Sequence, residues 1–405
     1  MAHSPYAVLR NRDVLLYLIG RFAASLGQQM VTLAVGWELY KRTHSTLLLG
    51  LVGLTQMLPM VLFTLPAGHV ADNYSRKRII VLMNLVIAAA SLGLTLISAR
   101  GAHVFWIYAC LFASGTARTF LWPASSAFLP QLVSRRDFSR VVAWSSGSFQ
   151  LSSVAGPAVG GALIALTDHA ALVYAANAAA ALICLTLISF VRGRHTVVAK
   201  EKMTADSLSV GFRFVFASPI ILGTITLDLF AVLLGGATTL LPVYAKDILA
   251  VGPTGLGFLQ AALTMGSLLC ALVLAHRPPM QKAGRAMLSA VAGFGVATIT
   301  FGCSGWFWLS FLMLFLCGAM DNVSVVVRHT LVQLLTPDEK RGRVSAVNSL
   351  FIGTSNELGG FESGLVAYLL GPVFSVVAGG VGTILVVLAV ALTWPPIRKY
   401  GRLDA

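Results

Sequence analysis

Long apolar segments recur along almost the whole chain of 405 residues. A helix needs about 20 apolar residues to cross the hydrocarbon layer of a membrane, which is roughly 30 Å thick. Glycine and proline occur inside these segments, and the ten-residue alternation of membrane strands is absent from the sequence, which favours packed helices over a barrel. The sequence therefore predicts an all-α membrane protein of about twelve transmembrane helices, near residues 14–37, 47–71, 79–99, 104–130, 141–166, 170–191, 218–243, 254–275, 286–303, 307–334, 343–369 and 372–394.

The composition excludes an ordinary soluble protein. Hydrophobic residues make up 57% of the chain and charged residues 11%, with a mean hydropathy of +0.82. Soluble domains carry roughly a quarter charged residues. The longest polar stretch away from the ends runs from Arg192 to about Arg213, and the other loops are short. No soluble domain that holds an active site is therefore expected, and the chain is one body embedded in lipid.

The two halves of the chain resemble each other in a nearly constant register. The matched pairs are Gly115 and Gly318, Arg118 and Asp321, and Gly161 and Gly364 at an offset of 203 residues, with Tyr40 and Tyr244, Gly53 and Gly257, and Gln56 and Gln260 at 204. Copies of roughly 200 residues are too long for a solenoid repeat and are typical of the two halves of a transporter. We expect two pseudo-symmetric six-helix bundles, residues 1–191 and 218–405, joined by a cytoplasmic linker at 192–217.

Basic residues are strongly biased to one side of the predicted membrane topology. If the loops alternate between the two faces, 22 of the 29 basic residues lie on one face, four lie on the other and three lie inside helices. The positive-inside rule makes the basic face cytoplasmic, and an even number of spans places both termini there. The net charge of +14 is thus explained by the membrane topology, and nucleic-acid binding is not expected.

Several sequence motifs of enzymes and ATPases are missing. No lysine is followed by Ser or Thr, so a phosphate-binding GKS or GKT loop is absent, as are the GxSxG nucleophile turn and the HExxH zinc helix. The five cysteines lie in apolar spans without a CxxC pair and are interpreted as small core residues. We expect no enzyme activity, no metal and no cofactor, and a transport step driven by an ion gradient or by the gradient of the solute.

The loop between the second and third spans carries the motif Gly68-His-Val-Ala-Asp72-Asn-Tyr-Ser-Arg76-Lys77-Arg78. It resembles the cytoplasmic-loop signature of the major facilitator superfamily, a glycine followed by an acid four residues on and then a basic cluster. Asn73 and Ser75 depart from the family pattern, which usually has a basic residue and a glycine there. Gly68 would permit close helix approach, and Asp72 would hold a neighbouring helix as part of a cytoplasmic gate.

The resemblance implies that the neighbour of Asp72 is the start of the eleventh helix, near Arg341 and Arg343. The alternative reading of the motif is a solvated loop with an ordinary basic flank.

The fifth span contains a second motif, formed by Gly147, Gly156, Pro157, Gly160 and Gly161. It resembles the signature of the antiporter branch of the same superfamily, whose members export their substrates. The glycines permit tight helix packing and Pro157 removes a helical hydrogen bond, so packing without directional meaning is the alternative. Other short sequence segments, such as Arg341-Gly342-Arg343-Val344 after Thr336-Pro337, resemble the enterobactin-exporter and macrolide-efflux branch of drug:proton antiporters.

Ionisable residues inside apolar helices cost several kcal/mol unless they are paired or hydrated, so they are the clearest functional signal. The resemblance implies that the first, fourth, seventh and tenth helices line a central cavity, with a cationic first-half wall facing an anionic second-half wall. For each acid the alternative is a structural ion pair. The proton-coupling candidates are Asp321, Asp228, Glu357 and Glu362, and the substrate-cavity candidates are Arg21, Arg118 and Arg328.

These features predict a secondary transporter of the bacterial inner membrane that works as a monomer by alternating access. The expected partners are a small amphipathic solute such as a drug, siderophore or metabolite, protons, and membrane lipid. A facilitator or importer of another solute, such as a lipid or a sugar, and a membrane receptor of the same fold that transports nothing, are the alternatives.

Overall fold

The computed structural model describes residues 7–134, 137–192, 212–278 and 280–401. Twelve helices in these ranges correspond one by one to the twelve predicted spans, and none of the described residues lies in a β-strand. The predicted all-α fold is therefore confirmed. The helices are α1 (Arg12–Thr43), α2 (Thr46–Asn73), α3 (Arg76–Arg100), α4 (Phe105–Phe128), α5 (Phe138–Thr167), α6 (Ala171–Ser189), α7 (Pro219–Leu234), α8 (Gly252–Ala275), α9 (Ala283–Cys303), α10 (Phe307–Leu335), α11 (Asp338–Leu370) and α12 (Pro372–Thr393).

Ten of these segments are long and apolar enough to cross a membrane, with α7 counted through Ile248. The two others, α4 and α11, are long enough but less apolar. Arg118 lies on α4, and Glu357 and Glu362 lie on α11. The two least apolar of the twelve helices thus carry three of the candidate site residues.

Contacts between residues divide the chain into two compact units. The first comprises Met1–Glu38 and Thr55–Met203, and the second comprises Leu39–Leu54 and Thr204–Ala405. The end of α1 and the start of α2 therefore group with the second unit. Residues 193–211 of the predicted linker lie outside the described residues, and the boundaries of the two bundles stay a prediction.

In the first unit, α3 packs against α4 and α6. Glycines bring α1 close to its neighbours. A Cβ at Gly160 of α5 would lie 3.2 Å from the Cα of Met30, and a Cβ at Gly27 would lie 3.1 Å from the Cα of Asn177 on α6. Such close backbone approach is typical of membrane helices, where packing supplies much of the attraction between helices.

The second unit repeats this arrangement with its own helices. Its α9 packs against α10 and α12, as α3 packs against α4 and α6, and α7 contacts α11 and α12 as α1 contacts α5 and α6. The internal repeat of the sequence thus corresponds to a repeated set of helix contacts.

The seventh span is interrupted, where the sequence predicts one continuous segment at 218–243. The helix begins with Pro219 at its first turn and ends at Leu234. A 3₁₀ turn (Ala237–Leu240), a short α turn (Leu241–Val243) and a π-helical turn (Tyr244–Ile248) follow. The break lies at Gly235 and Gly236, where a Cβ on Gly236 would lie 2.6 Å from the carbonyl oxygen of Gly359. Only glycine permits this approach of α7 and α11.

Candidate functional site

A buried ion pair joins α7 and α10 inside the second unit. The guanidinium of Arg328 contacts the carboxylate of Asp228, and only 3% and 7% of the two side chains are exposed. A buried charge without a partner is strongly unfavourable, so each residue depends on the other. The pairing favours the structural alternative for Asp228, an ion pair within its own unit.

Asp321 differs from Asp228 in its surroundings. It lies seven residues before Arg328 on α10, which separates the two by about 10 Å along the helix axis. It is partly buried, and it has no ion-pair partner among the residues that the structure describes. Of the two acids predicted in α7 and α10, Asp321 is therefore the one whose charge is not tied to an arginine of its own unit.

The other two acids lie on α11. Both are partly buried, and Glu362 accepts a hydrogen bond of 3.4 Å from the hydroxyl of Ser363. The main chain at Glu357 is in close contact with α2, because a Cβ at Gly53 would lie 2.5 Å from the carbonyl oxygen of Glu357. The two residues are thus held on a helix that packs tightly against its neighbours.

The arginines of the first unit have different environments. Arg21 on α1 is partly buried and has no ion pair within the described ranges. Arg118 on α4 donates a hydrogen bond to the side-chain oxygen of Gln56 on α2. Gln56 is not among the predicted site residues, although its match to Gln260 in the internal repeat could have indicated it. Gln56 corresponds to Gln260 as Arg118 corresponds to Asp321, so a glutamine and a charged residue recur at matching sequence positions of the two halves.

The first predicted motif forms the end of α2 and the start of α3. Lys77 donates hydrogen bonds of 2.7 and 2.8 Å to the carbonyl oxygens of Ser189 and Val191, which satisfies groups at the end of α6 and complements its helix dipole. Arg76 is buried, and Arg78 is exposed. Part of this basic cluster therefore stabilises the first unit itself.

The structure addresses only part of the predicted gate. Outside its own helix backbone, Gly68 has no described atom within 4 Å of a Cβ placed on it. Asp72 is partly buried at the end of α2. The side chains of Arg341 and Arg343, its predicted neighbours, lie outside the described part of the structure, and the gate stays a prediction.

Replacing Asp72 by Asn is expected to slow transport at least fivefold, because it removes a charge that would stabilise closure of the cytoplasmic face. The measurement is transport together with alkylation of cysteines placed on that face. Asp137→Asn is the matched control, since Asp137 pairs locally with Arg140 at 3.1 Å. Unchanged transport and unchanged cysteine accessibility in well-folded Asp72→Asn protein would contradict the gate.

The second motif packs α5 against α1. A Cβ at Gly156 would lie 2.5 Å from the Cβ of Gln29, and Gly160 contacts Met30 as described above. Gly161 and Pro157 are buried, and α5 continues through the proline. Gly147 has no described atom within 4 Å of a Cβ, so its glycine is not required by packing. The motif thus has a clear packing role, and its link to export stays a prediction.

The sequence from residue 3 to residue 401 matches the family model described as transmembrane secretion effector, a branch of the major facilitator superfamily. The chain belongs to this family. A match of this length covers both units and all twelve helices. The protein is accordingly a multi-pass membrane protein and a secondary transporter, not an enzyme.

Two relatives are enterobactin exporters. The chain is 26% identical over 388 residues to the enterobactin exporter EntS of Shigella boydii serotype 4 (strain Sb227), covering 94% of this chain and 92% of the relative. The same identity and coverage hold for EntS of Escherichia coli O1:K1 / APEC. The similarity is spread over nearly the whole length of both proteins.

Solved structures of other transporters share the fold. A POT family transporter in complex with 5-aminolevulinic acid superimposes with a TM-score of 0.76 at 12% identity, covering 96% of this chain and 97% of that one. The nucleoside transporter NupG gives a TM-score of 0.71 at 14% identity, covering 96% and 99%. At these identities the likeness shows the fold alone.

Proposed function

We propose that this transporter exports a small amphipathic solute from the cytoplasm by proton-coupled antiport. The observation that carries the direction of transport is the similarity to enterobactin exporters along 94% of the chain. Siderophores are the first substrate class proposed, because the relatives are enterobactin exporters, and hydrophobic drugs are the second. The protein acts as a monomer in the bacterial inner membrane, and its two halves alternate around a midplane site.

We place proton coupling on Asp321. A coupling acid must bind a proton from one side of the membrane and release it on the other, which requires its pKa to change between the two states of the cycle. A carboxylate that is not tied to an arginine of its own unit is free to take part in such a change. Asp228 is paired with Arg328, and Glu357 and Glu362 follow as further candidates on α11.

Two other functions remain in competition with this one. An importer or facilitator of a lipid or sugar would use the same fold without proton antiport. A receptor of the same fold would bind a solute and move none. The receptor differs from the proposed exporter because no solute crosses the membrane. The importer or facilitator differs because a proton gradient does not drive its transport by antiport.

Transport in inverted membrane vesicles tests the proposal directly. The vesicles receive an imposed proton gradient and a panel of enterobactin, a macrolide, a lipid and a sugar. We expect uptake of a siderophore or a macrolide against its gradient, and loss of this uptake when a proton ionophore is added. Vesicles without the protein are the control. Equal uptake with and without the gradient would indicate a facilitator, and binding without uptake would indicate a receptor.

The charge bias also makes a testable prediction of topology. Tags at residues 1, 200 and 405 are expected to be inaccessible to a membrane-impermeant reagent in intact cells, because the basic face of the chain is retained in the cytoplasm. A tag at His103, in the exposed loop between α3 and α4, is the positive control and should react. Reaction at any of the three cytoplasmic positions would overturn the predicted orientation.

A further inference from the structure

The chain continues past α12 into a short tail that folds back onto the second unit. This C-terminal tail is defined as Trp394–Gly401, and it contains a short helix, Pro395–Lys399. Ile397 in the middle of that helix is fully buried, while its neighbour Arg398 is exposed. The tail therefore has one face packed on the protein and one face turned outward.

Two glycines shape the surface on which the tail packs. A Cβ at Gly284 of α9 would collide with the carbonyl oxygen of Ile397, and a Cβ at Gly223 of α7 would lie 3.1 Å from Cγ of Trp394. A larger residue at Gly284 would push the backbone of the tail away from α9. The tail is thus held closely against the ends of α7 and α9.

Hydrogen bonds fix the tail at the first turn of α9. The N–H groups of Ala283 and Gly284 donate hydrogen bonds of 3.0 and 3.4 Å to the carbonyl oxygens of Gly401 and Tyr400. N–H groups at the start of a helix have no partner inside that helix, so the tail satisfies them. The position of the tail relative to the start of α9 is therefore defined by main-chain bonds.

Three exposed cations lie at this junction. Lys282 and Arg285 flank the two bonded N–H groups of α9, and Arg398 lies two residues before Tyr400 in the tail. Within the described part of the chain, none of the three forms a salt bridge. Cations at the edge of a membrane span can bind the negative headgroups of lipids.

Exposed apolar side chains continue from these cations along α9 and α12, which pack against each other. Val296 lies three turns from Arg285 on the same face of α9 and is more than half exposed. The residues of α12 that are more than half exposed before the tail are Leu385, Leu388 and Leu392. An acyl chain that lies along this pair of helices would end, at its headgroup, beside the three cations.

We propose that the C-terminal tail and the start of α9 form a binding site for an anionic glycerophospholipid. Arg285 and Arg398 bind the phosphate, Lys282 adds positive charge, and the acyl chains lie along α9 and α12. Guanidinium groups match the geometry of phosphate oxygens with paired hydrogen bonds. A headgroup with its own ammonium is disfavoured, because it would bring a further positive charge among three cations. The proposal goes beyond the proposed export and does not depend on it.

A photoreactive phosphatidylglycerol tests the site in the full-length protein in detergent. The probe carries a diazirine near the headgroup end of one acyl chain, is used below saturation, and is located by mass spectrometry of peptides after irradiation. We expect labelling of the peptides that contain Ser289 of α9 and Leu392 of α12. Arg285→Gln/Arg398→Gln should lower this labelling about twentyfold, since each cation near the membrane surface contributes about fivefold to the binding of an anionic lipid. Arg285→Lys/Arg398→Lys keeps the charges and should retain most of the labelling.

The matched control is Arg10→Gln/Arg12→Gln, because both arginines are exposed and the variant loses the same charge from the first unit. Labelling of the α9 and α12 peptides should be unchanged in this control. An equal loss in both Gln double variants would show that the lipid responds to net charge alone, as expected if these cations only determine topology. Such a result, or labelling spread evenly over the exposed helices, would overturn the site.

Competition on the wild-type protein tests the ligand without any substitution. Unlabelled phosphatidylglycerol should displace the probe, whereas phosphatidylcholine at the same concentration and water-soluble glycerol 3-phosphate should not. Equal displacement by phosphatidylcholine would show that the site does not select a negative headgroup, and displacement by glycerol 3-phosphate would show a site for soluble phosphates. Either result contradicts the proposal. None of these measurements involves transport, so a failure of the proposed export would leave their outcome unchanged.

Discussion

Removing either partner of the Asp228–Arg328 pair is expected to cost about 3–5 kcal/mol of the free energy of unfolding, because the remaining charge is left buried without a partner. Asp228→Leu and Arg328→Met should each show this loss. The double variant should regain most of it, since apolar side chains of similar volume can replace a buried ion pair without net cost. Asp137→Asn, which removes a partly exposed pair with Arg140, should cost at most about 1 kcal/mol.

Native cysteines provide the measurement for this cycle of variants. Cys184 in the first unit and Cys317 in the second are both buried, so their modification during heating in detergent reports unfolding of each unit separately. We expect Cys317 to become reactive first in the single variants, because the ion pair lies in its unit. Single variants as stable as the wild type would show that the pair does not form in the membrane.

The same double variant decides between the two roles of Asp228. If the pair is structural, the refolded Asp228→Leu/Arg328→Met protein should still accumulate solute against its gradient. If Asp228 carries the proton, the double variant should be stable and uncoupled. The double variant therefore tests coupling in a stable protein. In each single variant, a loss of transport could also come from the loss of stability.

The sequence predicts the helices well because each span must satisfy its own backbone inside the membrane. Apolar runs of about 20 residues locate all twelve helices, including the less apolar α4 and α11. The interruption of α7 is not predicted, because apolar character continues past Gly235 and Gly236, where α7 approaches α11 closely. Hydropathy thus locates a span but not its internal irregularities.

The site is predicted less completely, for a related reason. Sequence shows that Asp228 and Arg328 lie in apolar helices, but it does not show how α7 and α10 are rotated toward each other. The pairing across 100 residues therefore needs the structure. The same holds for Tyr40 and Asp247, which belong to different halves of the sequence and are hydrogen-bonded within the second unit.

Asp321 is the acid that both the internal repeat and the structure favour as the proton-coupling residue. Its counterpart Arg118 is hydrogen-bonded to Gln56 on α2, while Asp321 has no ion pair among the described residues. The two units thus place charges of opposite sign at equivalent positions of α4 and α10. We therefore expect protonation at this position to act on the second unit, since the counterpart in the first unit is an arginine, which stays protonated.

Replacing Asp321 by Asn is expected to reduce gradient-driven accumulation at least tenfold and to spare downhill exchange of the same solute, because the binding site remains while the group that takes up the proton is lost. Asp321→Glu keeps a carboxylate and should restore part of the accumulation. Both modes are measured in proteoliposomes with and without a proton gradient, and Glu362→Gln serves as a comparison in the same unit. If Asp321→Asn, alone and combined with the stable Asp228→Leu/Arg328→Met background, still accumulates solute at the wild-type rate, proton coupling through these residues is wrong. Glu357 or Glu362, or transport without coupling, then becomes the better explanation.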